Sequence, residues 1–330
     1  MSGDRVVHCI WCMSTRVQPA REFRSERWPM LHCVDCGLRF LSTIPNEDEL
    51  RRAYAYGRYA SETYSLDDRA AAQRLDASSR ILDTLTLHAG HPGRLLDVGC
   101  SVGDLLLSAS RRGWTGTGIE IDLETAAVAR TRTGADVRAG TVEAVLRPEE
   151  SFDGIVMNHS LEHFPAPGRD LDTVLQHLAP GGLILIRVPN MDSLAARALG
   201  RAWKWYLPPV HISYFTQGSL SFVLERRGLV AVSQGVQGSG DVMTWFELAT
   251  SPFDYLYRTL RSNEGNAKET QGDLRPPPGS GPRSLLQALV RARLQIERVV
   301  SDISGSPHPR GGLLPHNAEV SVLYRRPSPA

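Results

Sequence analysis

Leu95-Leu-Asp-Val-Gly-Cys-Ser-Val-Gly103 reads as a short apolar strand, a tight glycine turn and the start of a helix at Asp104. Glycines let backbone approach a ligand closely, and the amides opening a helix are ready donors. A dinucleotide fingerprint, G-x-G-x-x-G, fails on spacing, because Ser101 and Asp104 stand where its second and third glycines belong. Gly99-Cys-Ser-Val-Gly103 does match G-x-S-x-G, the nucleophile elbow of a hydrolase. That motif needs several strands and an oxyanion loop upstream, and the ninety preceding residues read instead as a cysteine module followed by helices.

Outward from this loop, short apolar runs alternate with amphipathic stretches. Strands are expected at 94–98, 115–120, 152–158, 183–188 and 229–236, with a short one near Val137 and a last one at 319–324. Helices are expected at 104–112, at 122–133, and around Leu220, Val223 and Leu224. Leu171, Val174, Leu175 and Leu178 fall at i, i+3, i+4, i+7, an apolar stripe on one further helix, after which Pro180-Gly-Gly182 turns the chain into the next strand. Asn46-Glu-Asp-Glu49 reads as a helix cap with its capping-box carboxylate; the helical pattern then continues to about Ala89, with Leu75, Ile81, Leu82 and Leu85 on one face. This rhythm predicts a doubly wound α/β fold, a parallel sheet covered by helices on both faces.

Composition narrows the class. The chain has 330 residues, with 37 basic against 36 acidic side chains and a formal charge of +1, so the electrostatic footprint of a dedicated nucleic-acid binder is missing. No apolar run approaches the ~20 residues of a membrane span, and the Met1-Ser-Gly-Asp-Arg start shows no signal or transit pattern, giving a cytoplasmic expectation. Four of the five cysteines form two pairs, Cys9-x-x-Cys12 and Cys33-x-x-Cys36, with 20 residues between the pairs. Two such knuckles suit tetrahedral Zn²⁺ in a structural, closed site of the zinc-ribbon type. Gly37 after the second pair supplies a permissive residue, whereas Met13 after the first is less suited. A redox reading lacks the surrounding βαβ unit and cannot explain two pairs. His8 and His32 are adjacent but not expected to bind, and Cys100 reads as a small packing residue.

The ordered set of segments at successive strand ends resembles the class I S-adenosylmethionine-dependent methyltransferases. Its parts are Leu95–Gly103, Gly116-Thr-Gly-Ile-Glu120, Phe152-Asp-Gly-Ile-Val-Met-Asn-His-Ser-Leu-Glu-His163, Leu178-Ala-Pro-Gly-Gly182, Ile186-Arg-Val-Pro-Asn190 and His211-Ile-Ser-Tyr-Phe215. The resemblance covers about residues 90–238 and the last strand. It implies a seven-stranded, mostly parallel Rossmann-like sheet with a small N-terminal zinc-ribbon module and a helical insertion before the last strand. The implied organisation is a ribbon at 1–45, a helical linker or cofactor lid at 46–92 and a catalytic domain at 93–330. Within that domain, 190–216, rich in aromatics such as Trp203–Tyr206, forms an acceptor lid, and 239–317 is an insertion with a loop at 262–283 and a helix at 285–303.

By position, the resemblance assigns Asp97, Gly99, Ser101 and Gly103 to the methionine part of the cofactor, with Ser101 replacing a more usual glycine. Glu120, with Ile121 after it, would take the ribose hydroxyls, since a carboxylate accepts two hydrogen bonds in parallel. Thr141 and Val142 stand at the adenine position, although the usual acidic residue there is absent. Asn158 and His159 would face the reacting methyl. A hydroxyl acceptor needs a base with a pKa near neutrality, which makes His159, His163 and His211 the candidates. The expected acceptor is a small molecule or saccharide, methylated at oxygen, with Tyr54, Tyr56, Tyr59 and Tyr64 closing over the cofactor. Two alternatives stand beside this reading. One is an RNA methyltransferase that contacts phosphates through Arg21, Arg24, Arg27 and Arg39 of the ribbon; the other is a cofactor-binding scaffold without turnover.

Overall fold

A computed structural model of the chain describes residues 4–20, 28–46, 49–50, 68–234 and 319–329. Tyr54, Tyr56, Tyr59, Tyr64, Arg21, Arg24, Arg27 and the 239–317 insertion with its expected loop and helix lie outside them. Two compact units form: one from Met1–Pro189, Pro208–Gly235 and Val320–Ala330, the other from Asn190–Leu207 and Val236–Glu319.

The first unit begins with the cysteine module. Its strands are β1 (Asp4–Arg5), β2 (Val17–Pro19), β3 (Met30–Cys33), β4 (Arg39–Leu41) and β5 (Thr43–Ile44), with β1 and β5 paired antiparallel. At Asn46 the reciprocal cap is present: Glu49 N–H donates to Asn46 Oδ1 at 2.9 Å and Asn46 N–H to Glu49 Oε2 at 3.0 Å. Beyond it follow α1 (Asp68–Ala89), β6 (Arg94–Val98), α2 (Asp104–Ser110), β7 (Thr115–Glu120), α3 (Leu123–Thr133) and β8 (Asp136–Ala139). Then come α4 (Val142–Val145), β9 (Phe152–Asn158), a 3₁₀ turn (Leu161–His163), α5 (Pro167–Gln176) and β10 (Leu178–Pro189).

The large sheet has the order β12-β13-β10-β9-β6-β7-β8, where β12 is Val230–Gln234 and β13 is Glu319–Arg325. Pairs β10/β9, β9/β6, β6/β7 and β7/β8 are parallel, and β12/β13 is antiparallel. From β6 the chain first builds outward through β7 and β8, then returns to place β9 on β6's other side. The strand order therefore reverses between β6 and β9, and a ligand crevice opens at the carboxyl ends of strands at such a point.

Helices cover both faces, as the alternation of the sequence demands. On one face Ile81, Leu82 and Leu85 of α1 and Leu105 and Ala109 of α2 pack with Leu95, Val156, Leu183 and Leu185 of the strands. On the other, Ala126 and Ala129 of α3 meet Cys100, Leu106 and Val137. Two expectations are corrected around β10. Leu178 does not continue the α5 stripe, because His177 caps that helix and Leu178 already pairs with Phe152. Pro180-Gly-Gly182 is a bulge inside the strand rather than a turn before it: the register shifts between Leu178 and Leu183, and Gly181 takes φ 76°.

The cysteine module is built into this unit. After the large sheet's fifth strand in sequence, the short strand β11 (Ser213–Tyr214) pairs antiparallel with β4 and completes a second sheet of order β11-β4-β3-β2. Trp11, fully buried between the cysteines of the first knuckle, donates its indole N–H to Ser219 O at 2.7 Å and packs edge-on against Phe215. Ser219 belongs to α7 (Gln217–Arg226), whose buried Leu220, Val223 and Leu224 are the residues expected to form its apolar face. Gly168 N–H at the start of α5 donates to Ile10 O at 3.1 Å. A side chain at Gly168 would lie 2.5 Å from Trp11 O, so this glycine admits the knuckle. Within the second unit, α6 (Leu194–Leu199) is capped by Ser193, whose hydroxyl accepts from Ala196 N–H at 3.1 Å. Trp203, Trp205 and Tyr206 belong to that unit, whereas 208–216 belong to the first.

Candidate functional site

The crevice predicted by the strand reversal is built from the turn after β6. Gly99 and Cys100 N–H both bond to Ile119 O, at 2.8 and 3.0 Å, so the chain folds back over the end of β7 as soon as the strand stops. Gly99, Ser101 and Gly103 adopt φ 79°, 49° and 81° to do so. Glycine is required at both ends of the turn by space as well as by φ. A Cβ on Gly99 would lie 2.6 Å from Ser160 Cβ, and one on Gly103 2.6 Å from Thr133 Cγ2. Asp104, the first residue of α2, pairs with Arg74 at 2.7 Å and Arg132 at 2.6 Å, tying α1 and α3 to the loop.

Three strand ends contribute polar groups. Asp97 is 3 % exposed. Burial first, then the negative charges of Glu120 and Asp104, pushes its carboxyl up to about 8. Glu120, ending β7, is held by two backbone donors: Ser101 N–H to Oε2 at 2.9 Å and Asp122 N–H to Oε1 at 3.1 Å. Burial raises its pKa above the ordinary carboxylate value, with these two N–H groups pulling the other way. Each oxygen keeps a further lone pair for a ligand hydroxyl. Gly140 N–H donates to Glu120 O at 2.9 Å, which tethers the loop carrying Thr141 and Val142 to the end of β7; Thr141 is exposed and Val142 buried. Ile121 is exposed.

At the end of β9, Asn158 Oδ1 is buried with no hydrogen-bond partner among the described residues, and so are Ser101 Oγ and Ser160 Oγ. Buried polar groups are normally satisfied, so three orphans around one crevice mark a place for a polar ligand. Among the described residues Ser101 Oγ has no histidine partner, so the pairing of nucleophile and base that an elbow hydrolase requires is not found there.

Beside the crevice lies a cluster of three imidazoles and a carboxylate. His159 takes φ 52°, outside the usual range for a side-chain-bearing residue, and its N–H bonds to Arg187 O of β10 at 2.8 Å. Its Nδ1 is 3.5 Å from Oε1 of Glu162, which is 1 % exposed. His163 Nδ1 lies 3.0 Å from Val210 O, and the His163 and His211 rings meet edge to face at 4.7 Å. Ile212 N–H donates to Glu162 O at 2.9 Å, fixing the 3₁₀ turn against the segment that leads into β11. Burial alone would raise Glu162, but His159, His163 and His211 around it hold the carboxyl below its ordinary value. The three predicted histidines are thus brought together. The group at their centre, Glu162, is not among the residues the sequence points to; its only signal there is its place in His159-Ser-Leu-Glu-His163, three residues on from His159. Arg39, the one of the four ribbon arginines described, is half-buried in β4.

Cys9, Cys12, Cys33 and Cys36 converge at the other end of the small sheet, with Cys9 and Cys36 Sγ 3.6 Å apart and Cys12 and Cys33 Sγ 3.6 Å apart. A tetrahedron of thiolates with Zn–S of about 2.3 Å has edges of roughly 3.7–3.8 Å, so the set fits Zn²⁺. Each knuckle closes the same way: Met13 N–H donates to Cys9 O and Gly37 N–H to Cys33 O, both at 3.0 Å, with φ 62° at Met13 and 77° at Gly37. The thiols also compete for charge. The Cys36 thiol and backbone amides pull Cys9 down to about 6, while burial pushes Cys12 up to about 12. Neither His8 nor His32 joins the cluster. Cys100 is buried against Gly118, where a Cβ would lie 2.7 Å from its sulfur, in keeping with a packing role.

Comparison with known proteins agrees with this geometry. A ubiquinone biosynthesis O-methyltransferase of Caulobacter sp. (strain K31) is 33% identical over 128 residues, covering 36% of this chain and 51% of that protein. One of Aeromonas salmonicida (strain A449) is 25% identical over 185 residues, covering 52% and 78%. The chain thus spans about half the length of the first of these relatives. Among solved structures, the [4+2]-cyclase SpnF superposes with a TM-score of 0.51 at 17% identity, covering 87% of this chain and 98% of that one, which is a likeness of fold. Residues 68–234, about half the chain, match the family described as Methyltransferase domain. The chain therefore belongs to that family and carries a class I S-adenosylmethionine-dependent methyltransferase domain.

Proposed function

We propose that the protein transfers a methyl group from S-adenosylmethionine to a hydroxyl of a small molecule or saccharide, with the four cysteines holding a structural Zn²⁺. The observation that carries the reading is the crevice at the strand reversal, where Glu120 is pinned by two amides and Asn158, Ser101 and Ser160 have buried polar atoms without partners. S-adenosylmethionine bound there supplies an electrophilic methyl on a sulfonium whose leaving thioether needs no proton. Asp97, Gly99, Ser101 and Gly103 take the amino-acid end, Glu120 with Ile121 the ribose, and Thr141 and Val142 the adenine. A buried acid whose charge-shifting neighbours are themselves acidic has its natural counter-ion in the ligand's ammonium.

Asn158 and His159 face the methyl, and His159, His163 and His211 form the side of the site that meets the acceptor. His159 is the group placed to accept the hydroxyl proton, with Glu162 behind it at 3.5 Å to orient the ring and stabilise the imidazolium. A small-molecule acceptor fits the balanced charge of the chain and the ubiquinone biosynthesis O-methyltransferases among its distant relatives. The test is methyl transfer from radiolabelled S-adenosylmethionine to a panel of phenols, catechols, sugars, amino sugars and enolisable ketones, in wild type and His159→Gln. Transfer to a hydroxyl, with kcat lowered far more than S-adenosylhomocysteine affinity in the variant, supports the reading. Label appearing only on nitrogen or carbon acceptors overturns the oxygen assignment, and equal kcat in His159→Gln overturns the base.

A further inference from the structure

We propose that Glu162, His163 and His211 form a second metal site, distinct from the four cysteines, which takes a divalent first-row cation through two imidazoles and one carboxylate. The inference rests on the methyl-transfer reading for the ion's use, beside the acceptor, but not for its existence.

Geometry comes first. Each of the three residues offers one ligand atom, and these atoms all lie within 4.8 Å of one another. The two rings stand at 81° with centroids 4.7 Å apart, edge to face rather than stacked. His163 Nδ1 lies 3.0 Å from Val210 O, and a carbonyl can only accept, so Nδ1 carries an N–H and Nε2 is the nitrogen left to ligate in the neutral ring. A backbone carbonyl on the other ring nitrogen is the usual way in which a metal-binding imidazole is oriented.

Glu162 provides the independent observation. It is 1 % exposed, and neither carboxylate oxygen has a partner of ordinary hydrogen-bond geometry among the described residues. His159 Nδ1 approaches it at 3.5 Å, which is long. A carboxylate this deep is costly unless a cation or several donors compensate it, and a divalent ion held jointly by Glu162, His163 and His211 provides that compensation.

The frame is also stiff enough for a metal. The 3₁₀ turn carrying Glu162 and His163 is locked to the His211 segment by Ile212 N–H to Glu162 O, and Leu41 N–H in turn donates to Ile212 O at 3.0 Å. Two protein nitrogens and one oxygen leave coordination positions open, the ligand set that suits Zn²⁺, Fe²⁺, Mn²⁺ or Co²⁺ and lets an oxygen ligand enter. Such an ion would favour acceptors with two neighbouring oxygens, one to be methylated and one to chelate. His163 and His211 then serve as ligands, and His159 keeps the proton-accepting role.

Cobalt titration of the full chain, stripped of metal and kept reduced, reads both sites in one experiment. The first equivalent of Co²⁺ should bring an intense thiolate charge-transfer band from the cysteines. A second equivalent should add weaker visible d–d absorption with no further thiolate intensity. Glu162→Gln and His211→Asn should each lose the second equivalent only, while Cys33→Ser should lose the thiolate band. S-adenosylhomocysteine binding, measured in parallel, reports separately on the cofactor crevice and on whether each variant is folded. Saturation of the wild type at one equivalent in large cobalt excess overturns the second site, whatever the variants do. So does a second equivalent that survives in folded Glu162→Gln. Absent S-adenosylhomocysteine binding with two cobalt ions bound would instead overturn the methyltransferase reading and leave the metal site standing.

Discussion

Asp97→Asn should make the protein more stable and its ligand weaker, and the stability gain should depend on pH in a defined way. Asp97 is buried at the end of β6, and its carboxyl is pushed up to about 8 from an ordinary 3.8 by burial and by Glu120 and Asp104. A folded value above the unfolded one means that the wild-type stability is fully present below pH 4 and drains away as pH rises through 8. At about 1.4 kcal/mol per unit of difference, the loss approaches ~6 kcal/mol above pH 8 and is near ~1.5 kcal/mol at pH 5. Asparagine does not titrate. The stability difference, Asn minus wild type, should therefore climb by about 1.4 kcal/mol per pH unit between pH 5 and 8 and level off above. Urea unfolding at pH 5, 6, 7, 8 and 9 measures it. Saturating S-adenosylhomocysteine should shrink the difference, because the ligand's ammonium compensates an ionised Asp97, and the affinity of Asp97→Asn should fall by about 1.5–3 kcal/mol, as for a lost charged hydrogen bond. A difference independent of pH would mean instead that Asp97 is already ionised and paired in the free protein.

Other substitutions test separate parts of the structure. Met13→Gly removes a side chain that is 62% exposed from a position at φ 62°, so it should stabilise the chain by about 1 kcal/mol, seen as a higher Tm with unchanged zinc content. A lower Tm would show that Met13 makes a contact worth more than its backbone strain. Glu120→Ala should weaken S-adenosylmethionine binding by about 1–3 kcal/mol in calorimetry, and an unchanged Kd would remove Glu120 from the ribose site. Trp11→Ala should cost about 3–5 kcal/mol and lower one shared unfolding transition, because Trp11 joins the first knuckle to Ser219 and Phe215. A separate early transition for the cysteine module would contradict that coupling.

The strands around the crevice were legible because their signals are local. Arg94–Val98, Thr115–Glu120 and Phe152–Asn158 are bounded as their apolar runs predict, and the glycine turn follows from residues adjacent in sequence. The four cysteines were legible for the same reason, their spacing being the signal. The β10 bulge was not, since Pro180-Gly-Gly182 reads as a turn in any window short enough to judge it. Pairing of β11 with β4 is further out of reach: it joins Ser213 to Phe40 across most of the chain, and two residues carry no period. Glu162 was hidden in another way. Its sequence neighbours carry the chemical signal as histidines, and only the folded chain shows that the buried carboxylate sits among all three.

Calorimetric titration of the zinc-loaded chain with S-adenosylmethionine and S-adenosylhomocysteine asks whether the crevice between β6 and β9 holds the cofactor. One site per chain with micromolar affinity for both ligands is the predicted result. Absence of binding to folded protein would contradict the assignment of the crevice between β6 and β9 as a cofactor site.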